Sequence, residues 1–426
     1  MRPFSIAAAG AAAFCLAGFP SCALAAPSQG GNKGAQDDPL LKITSEPVVL
    51  AAGGKSGRGA AYAQQIELNL KLDWTKLAGV KGLTSHITFV NRFGENGSRA
   101  LAGDTLFQAQ SVFGGTHHAP IHLVQAYLEE EAGPVDVAGG RLPVGEAFAK
   151  SPLYCRFMNT AICGYPHSLP SKEGFTAFPN STWGARARVS AGKSFSLRAG
   201  AYQVRPKLGG KWGFDWGWSG TTGLYLPVEA AWEPTFGAKG LPGHYKLGAA
   251  LDTSDYDDVY FDVAGRPYVL SDAPPGKRSS RHSVYVLADQ MLVRHGEGDQ
   301  NGLIAMAGYV RSDPRTSQMS SFAFAGLLDQ GFLPGRPEDK AGIVVAYAGI
   351  SDGLTATQGL QQKRGLPLDR GANGIQSHEV VIEADYEAKI DDRFSIMPDL
   401  QYLIRPGAAA SQRNALLIGM RFNAQF

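Results

Sequence analysis

Arginine stands at positions 186, 188 and 198, glutamate at 229 and 233, and lysine at 246. Each falls on the polar side of a segment whose alternate positions are apolar. Trp183, Ala185, Ala187 and Val189 flank Arg186 and Arg188. Phe195, Leu197, Ala199 and Ala201 flank Arg198. Leu226, Val228, Ala230 and Trp232 flank Glu229. A guanidinium presents a fixed fork of donors that suits hydroxyl oxygens, and a carboxylate accepts from hydroxyls. A wall carrying both exchanges hydrogen bonds with a neutral hydroxylated solute without holding it tightly, as conduction requires. The other reading is that these charges only pair with one another and hold the wall.

Other clusters invite weaker chemistry. Lys211 to Trp218 packs Trp212, Phe214, Trp216 and Trp218 among glycines; these aromatics either stack on sugar rings or fold onto a rim. Cys155 and Cys163 are the only cysteines beyond the first 25 residues. In an oxidising compartment their spacing reads as a disulfide closing a small loop, with two free thiols as the alternative. Gly53-Gly54-Lys55-Ser56 resembles the end of a phosphate-binding loop, but Val49 stands where that motif needs glycine. His378-Glu379 lacks the second histidine of a zinc protease, since position 382 is Ile382. His117, His118 and His122 have no cysteine or carboxylate set at ligand spacing. Asp252, Asp255, Asp257 and Asp258 can hold a divalent cation or form a solvated loop; they lack the glycine and terminal glutamate of a calcium loop. No Gly-x-Ser-x-Gly elbow occurs. The expectation is therefore no catalytic residue, no metal and no cofactor.

The elements that position these residues are strands. Gln65 to Trp74 reads Q-I-E-L-N-L-K-L-D-W, with Ile66, Leu68, Leu70, Leu72 and Trp74 on one face and Gln65, Glu67, Asn69, Lys71 and Asp73 on the other. The last residues repeat the pattern, with Leu416, Ile418, Met420, Phe422, Ala424 and Phe426 opposite Leu417, Gly419, Arg421, Asn423 and Gln425. Phe394 to Arg405 alternates too. Weaker candidates fall at Lys42–Leu50, Leu83–Arg92, Ile121–Glu130, Val135–Arg141, Trp183–Val189, Phe195–Val204, Leu224–Glu233, His244–Asp252, Ser283–Val293, Leu303–Arg311, Phe322–Leu328, Ile343–Ile350 and Glu379–Glu387. The total is about sixteen, an even number inside the range of bacterial membrane barrels. Trp74, Trp183, Trp232, Tyr386, Tyr402, Phe422 and Phe426 share the apolar side near strand ends, which fits an interfacial girdle rather than a soluble sandwich. The fold class is thus all-β: a single transmembrane antiparallel β-barrel with long outer loops. Its inward faces are expected to be polar.

Charged residues make up only 18% of the 426-residue chain, against about 25% in ordinary globular proteins. The net charge of +2 argues against a nucleic-acid binder. Residues 1–25 read as a signal peptide: Arg2, an apolar stretch from Phe4 to Phe19, and small residues at Ala23 and Ala25. Residues 26–40 read as a flexible mature N-terminus, and 41–426 as the barrel.

Several segments together resemble the carbohydrate-selective porin family, the OprB type. They are Gly140-Arg141-Leu142-Pro143, then Glu146 to Leu153, Cys155 to Asn159, and Cys163-Gly164. Pro179 to Gly184, Asp289-Gln290, and Gly335-Arg336-Pro337 with Asp339 follow. Glu379, Glu383, Tyr386, Pro398 to Tyr402 and Arg405-Pro406-Gly407 complete the set. Ala147 departs from the family's aspartate. The resemblance implies a sixteen-stranded barrel in the outer membrane, with short periplasmic turns and outer loops folded into the lumen. It implies passive diffusion of monosaccharides such as glucose, with small carbohydrates and outer-membrane lipid as partners and no cofactor. The other readings are a general porin for solutes other than sugars, or a structural or enzymatic barrel.

Overall fold

The computed structural model describes residues 40–426 apart from 56, 114–118, 170–173, 207–209, 211 and 215. The expectations for residues 1–25 and 26–39, and for His117 and His118, lie outside the described residues. No described helix is long and apolar enough to cross a membrane.

Alternation of apolar and polar residues produces sixteen wall strands. In chain order they are β1 (Leu41–Gly53), β2 (Gly59–Asp73), β3 (Leu83–Gly94), β4 (Ala119–Ala132), β5 (Val135–Leu142), β6 (Thr182–Ala191), β7 (Phe195–Val204) and β8 (Gly223–Trp232), followed by β9 (Leu241–Asp252), β10 (Arg281–Arg294), β11 (Gly302–Ser312), β12 (Met319–Gln330), β13 (Lys340–Ile350), β14 (His378–Lys389), β15 (Phe394–Ile404) and β16 (Ala415–Gln425). Every expected strand is present, displaced only at its ends. Each pairs antiparallel with its chain neighbours. β1 closes the sheet on β16, with Thr44 opposite Asn423 and Val48 opposite Gly419. Closure leaves no open edge, which a sheet surrounded by hydrocarbon requires.

Both ends of the wall meet at one edge, where the Phe426 amide donates to the Leu41 carbonyl at 2.8 Å. Short turns join strands there. Trp74 lies in one of them rather than in β2: Asp73 accepts from the Thr75 amide and starts a one-turn helix, Trp74–Ala78. The opposite edge carries eight loops: L1 (54–58), L2 (95–118), L3 (143–181), L4 (205–222), L5 (253–280), L6 (313–318), L7 (351–377) and L8 (405–414). Gly53 ends β1 at φ +73°, and a Cβ there would lie 1.8 Å from the Asn414 carbonyl oxygen, so only glycine fits.

The outward faces are apolar, as in Val228 (49% exposed), Leu247 (64%) and Ile418 (47%). The inward faces are not uniformly polar, which corrects the expectation. β11, β12 and β13 turn Ile304, Met306, Phe322, Phe324, Val344 and Ala346 into the lumen, and all are buried. L2 and L3 fold inside and pack on them. Phe107 meets Phe322 edge-on at 5.6 Å, and Tyr154 meets Phe324 at 5.2 Å. On β6 and β7, Gly184 and Gly200 leave room for the Tyr202 ring, which meets Phe148 of L3 edge-on at 6.1 Å. The apolar core therefore lies within the barrel and fills part of its bore.

β5 ends early, at Leu142, because the chain turns inward as L3. Residues 119–125 of β4 thus run beyond it, since Ala126 already pairs with Arg141. L4 covers that stretch: the Leu123 amide donates to the Trp212 carbonyl at 3.0 Å. At the mouth, a hairpin in L5 (Tyr256–Asp262 with Pro275–Arg278) meets the L7 helix Asp352–Lys363, where Thr357 donates to the Val259 carbonyl at 2.6 Å.

Candidate functional site

L3 has an apolar back and a polar front. The back lies on β11–β13; the front presents Glu146, Lys150 and Cys155 to the opposite wall. Glu146 pairs with Lys150 at 2.6 Å, and both lie within electrostatic reach of Tyr127 on β4. Lys42 on β1 lies within reach of Cys155. The Lys246 ammonium on β9 donates to the Lys150 carbonyl at 2.6 Å. The region between L3's front and this wall is termed the eyelet.

Wall charges hold L3 in place. Glu46 on β1 and Arg421 on β16 pair at 2.7 Å across the closing seam. The same guanidinium donates to the carbonyls of Cys155 (3.2 Å), Arg156 (3.3 Å) and Phe157 (2.9 Å), and to Ser111 of L2 (3.0 Å). Glu383 on β14 accepts from the Met158 and Asn159 amides, and Gln401 on β15 accepts from the Asn159 side chain at 3.0 Å. Glu379 accepts from the amides of Leu106 and Gly407.

The wall facing L3 carries belts of hydrogen-bonded side chains. On β2–β4, Arg92 donates to Gln65 (2.6 Å), Gln65 and Asn69 donate to Glu67 (2.8 and 2.9 Å), Thr88 donates to Asn69 (2.8 Å) and Gln125 to Thr88 (3.0 Å). His86 stacks flat on Tyr127, 4.6 Å between rings, and sits 3.3 Å from Glu129.

β6–β8 bring Arg186, Arg188, Arg198 and Glu229 together, and Lys246 joins them from β9. Their states differ. Arg186 is held between Glu129 (2.6 Å) and Asp136 (2.9 Å). Arg198 pairs with Glu229 at 3.3 Å and donates to the Ala147 carbonyl of L3. Glu229, only 2% exposed, accepts from the Ala149 amide and the Tyr285 hydroxyl, both at 2.8 Å. Arg188 stands opposite Asp136 and Arg198 in the ladder, half-buried and without a hydrogen bond among the described residues. Arg198 and Glu229 thus fasten L3, and Arg188 makes no hydrogen bond to it among the described residues.

The other expected sites lie elsewhere. Trp212, Trp216 and Trp218 are not on the eyelet. The Trp183 indole donates to the Trp216 carbonyl at 2.9 Å, and the two rings meet edge-on at 5.7 Å on the outward side of β6. Trp218 is 62% exposed. The Cys155 and Cys163 sulfurs face each other in L3, 2.9 Å apart. His167, donating to the Cys163 carbonyl in L3, is held down to about 4 by burial. The aspartates at the junction of β9 and L5 have separate partners: Asp252 accepts from Tyr256 and the Ser254 amide, Asp257 pairs with Lys277, and Asp258 with Arg278. No metal-binding group of side chains occurs among the described residues. Gly53 ends β1 and Gly54-Lys55 begin L1, which leads into strand β2 and not into a helix.

Sequence reasoning did not single out Glu46, Arg421, Glu129, Asp136 or the His86–Tyr127 stack. Arg421 and Lys71 were visible on polar strand faces, but Glu129 is hidden within the Glu129-Glu130-Glu131 run, where alternation carries no signal.

A barrel narrowed by an inward loop, with charged groups around the passage, is the geometry of a diffusion channel. The family model for the carbohydrate-selective porin, OprB family, matches residues 57–426. This chain belongs to the OprB family. It is 31% identical over 403 residues to Porin B of Pseudomonas aeruginosa, covering 91% of this chain and 87% of that protein. It is 25% identical over 380 residues to the putative porin QuiX of Acinetobacter baylyi, covering 85% and 83%. The solved structure of Pseudomonas putida OprB at high pH superposes with a TM-score of 0.84 at 28% identity, covering 91% of this chain and 94% of that one. The OprB family member described here is accordingly an outer-membrane sugar porin, and its fold and family are those of a channel.

Proposed function

We propose that monosaccharides such as glucose diffuse passively through the eyelet between L3's front and the β1–β9 wall, with the loop-bearing edge facing outside. The two-sidedness of L3 carries this reading. Its apolar back is seated on β11–β13, so solutes meet only the hydrogen-bonding side. There, Arg188 and Lys246 offer donors, and Glu129 and Asp136 offer acceptor oxygens. Arg186, Arg198 and Glu229 shape the passage by fixing L3 and one another. A hydroxylated solute can trade its water hydrogen bonds for these one at a time, without one deep binding well. The resident charges are mostly satisfied by each other, so a neutral sugar does not have to neutralise them.

Swelling of liposomes containing the protein, in sugars of increasing size, tests this. Monosaccharides should permeate fastest, with a steep fall toward trisaccharides. Equal rates for all sizes, or no permeation, would overturn it.

A further inference from the structure

The eyelet's charges are unequally matched. Each carboxylate bordering it already has donors: Glu129 and Asp136 share Arg186, Glu146 holds Lys150, and Glu67 takes the amides of Gln65 and Asn69. Glu229 is buried against Arg198, and Asp289 against His244 at 2.5 Å. On β14 and β15, Glu379, Glu383 and Asp399 are buried beneath the inward loops, Asp385 is half-buried within reach of Arg156 and Arg421, and Glu387 pairs with Lys340 at 3.4 Å.

The cations are different. Lys71, exposed and opposite His86 in the ladder, has no carboxylate partner among the described residues. Arg188 forms no ion pair among the described residues, and the Asp136 carboxylate within its electrostatic reach is already bound by Arg186; among the described residues Lys246 donates only to the Lys150 carbonyl. Lys42 stands opposite Glu67 in the ladder without an ion pair to it. Positive charges that outnumber the carboxylates still free to neutralise them attract anions and repel cations along a confined path. The neutral donors and acceptors of the belt beside them suit hydroxyls.

We propose that the eyelet is anion-selective and admits sugar acids, polyhydroxylated carboxylates of aldonate type, alongside neutral sugars. Their carboxylate would sit by Lys71, with Arg188 on β6 as a second station along the wall, while the hydroxyls use the Asn69–Thr88–Gln125 belt. The proposal rests on the eyelet being the conducting path.

The full-length protein in planar bilayers under a KCl gradient should give a reversal potential with chloride more permeant than potassium. Replacing chloride with gluconate should leave a measurable anion current. Lys71→Gln with Arg188→Gln should lower the chloride-to-potassium permeability ratio. Swelling in glucose combined with a ratio at or below one, or with no gluconate current, overturns this proposal and leaves the porin reading intact. A variant ratio equal to wild type overturns the assignment to Lys71 and Arg188. Absence of both conductance and glucose swelling overturns the conducting path itself, and this proposal with it.

Discussion

Arg421 is the side chain on which the position of L3 most depends, and Arg421→Met is its most direct test. The guanidinium pairs with buried Glu46 and reaches three consecutive L3 carbonyls and Ser111. Methionine keeps much of the volume but leaves the Glu46 carboxylate buried without its cation. Removing one partner of a buried pair costs about 3–5 kcal/mol. At about 1.4 kcal/mol per decade, the docked state of L3 loses roughly two to three and a half orders of magnitude of preference over released states. The wall itself should survive, because β1 and β16 stay joined by their backbone ladder. Single-channel recording should therefore show larger, noisier conductance, and the swelling series should extend to larger sugars, while heat-modifiable gel migration stays as in wild type. Adding Glu46→Gln removes the stranded charge and should restore much of the quiet, narrow channel, since replacing both partners of a pair costs far less than removing one. Wild-type conductance, noise and sugar cutoff in Arg421→Met would refute the reasoning. A double variant as loose as the single would show that charge pairing is not the cause.

Four further outcomes are expected. Glu383→Ala strips the Met158 and Asn159 amides of their acceptor, at about 1–3 kcal/mol for each buried donor left unsatisfied, and should raise conductance without blocking barrel formation. Phe157→Ala, on L3's apolar back, should cost about 3–5 kcal/mol of docking, read as faster proteolysis within L3 in the membrane-inserted protein. Oxidised Cys155 and Cys163, resistant to alkylation until a reductant is added, are expected in the exported protein by mass spectrometry; free alkylation would refute the pairing. His167, neutral when folded and depressed to about 4, binds more protons in the released loop than in the docked one. L3 docking is then fully present above the ordinary histidine value of about 6.5 and weakens as pH falls from there toward 4. Conductance noise should rise over that window, and His167→Gln should abolish the rise.

The strands were legible because membrane walls obey a strict rule: one face meets lipid, so a period of two survives even in short segments such as Phe195–Val204. Arg186, Arg188, Arg198 and Glu229 were legible for the same reason, since each interrupts an apolar series at the inward phase. What alternation could not reveal is what the inward residues touch. Phe322, Phe324 and Val344 alternate with apolar outward neighbours, so both faces read alike and the seat of L3 left no polar mark. Pairing across long sequence separations is equally silent: Glu46 and Arg421 stand near opposite ends of the chain, and only closure makes them neighbours. The aromatic run at Trp212–Trp218 announced a surface role, but not the gap beside β4 that it covers, because the gap arises from where β5 stops.

The seam pair also imposes an order of events. Glu46 comes from the first strand and Arg421 from the last, and L3 is fastened by a cation that only the last strand supplies. An unfinished sheet, with β16 not yet paired to β1, lacks that fastening, so the narrow passage is completed only once the wall is whole. Glu383, Arg198 and Glu229 hold L3 from other strands, so the seam pair ties the last of its fastenings to closure of the wall.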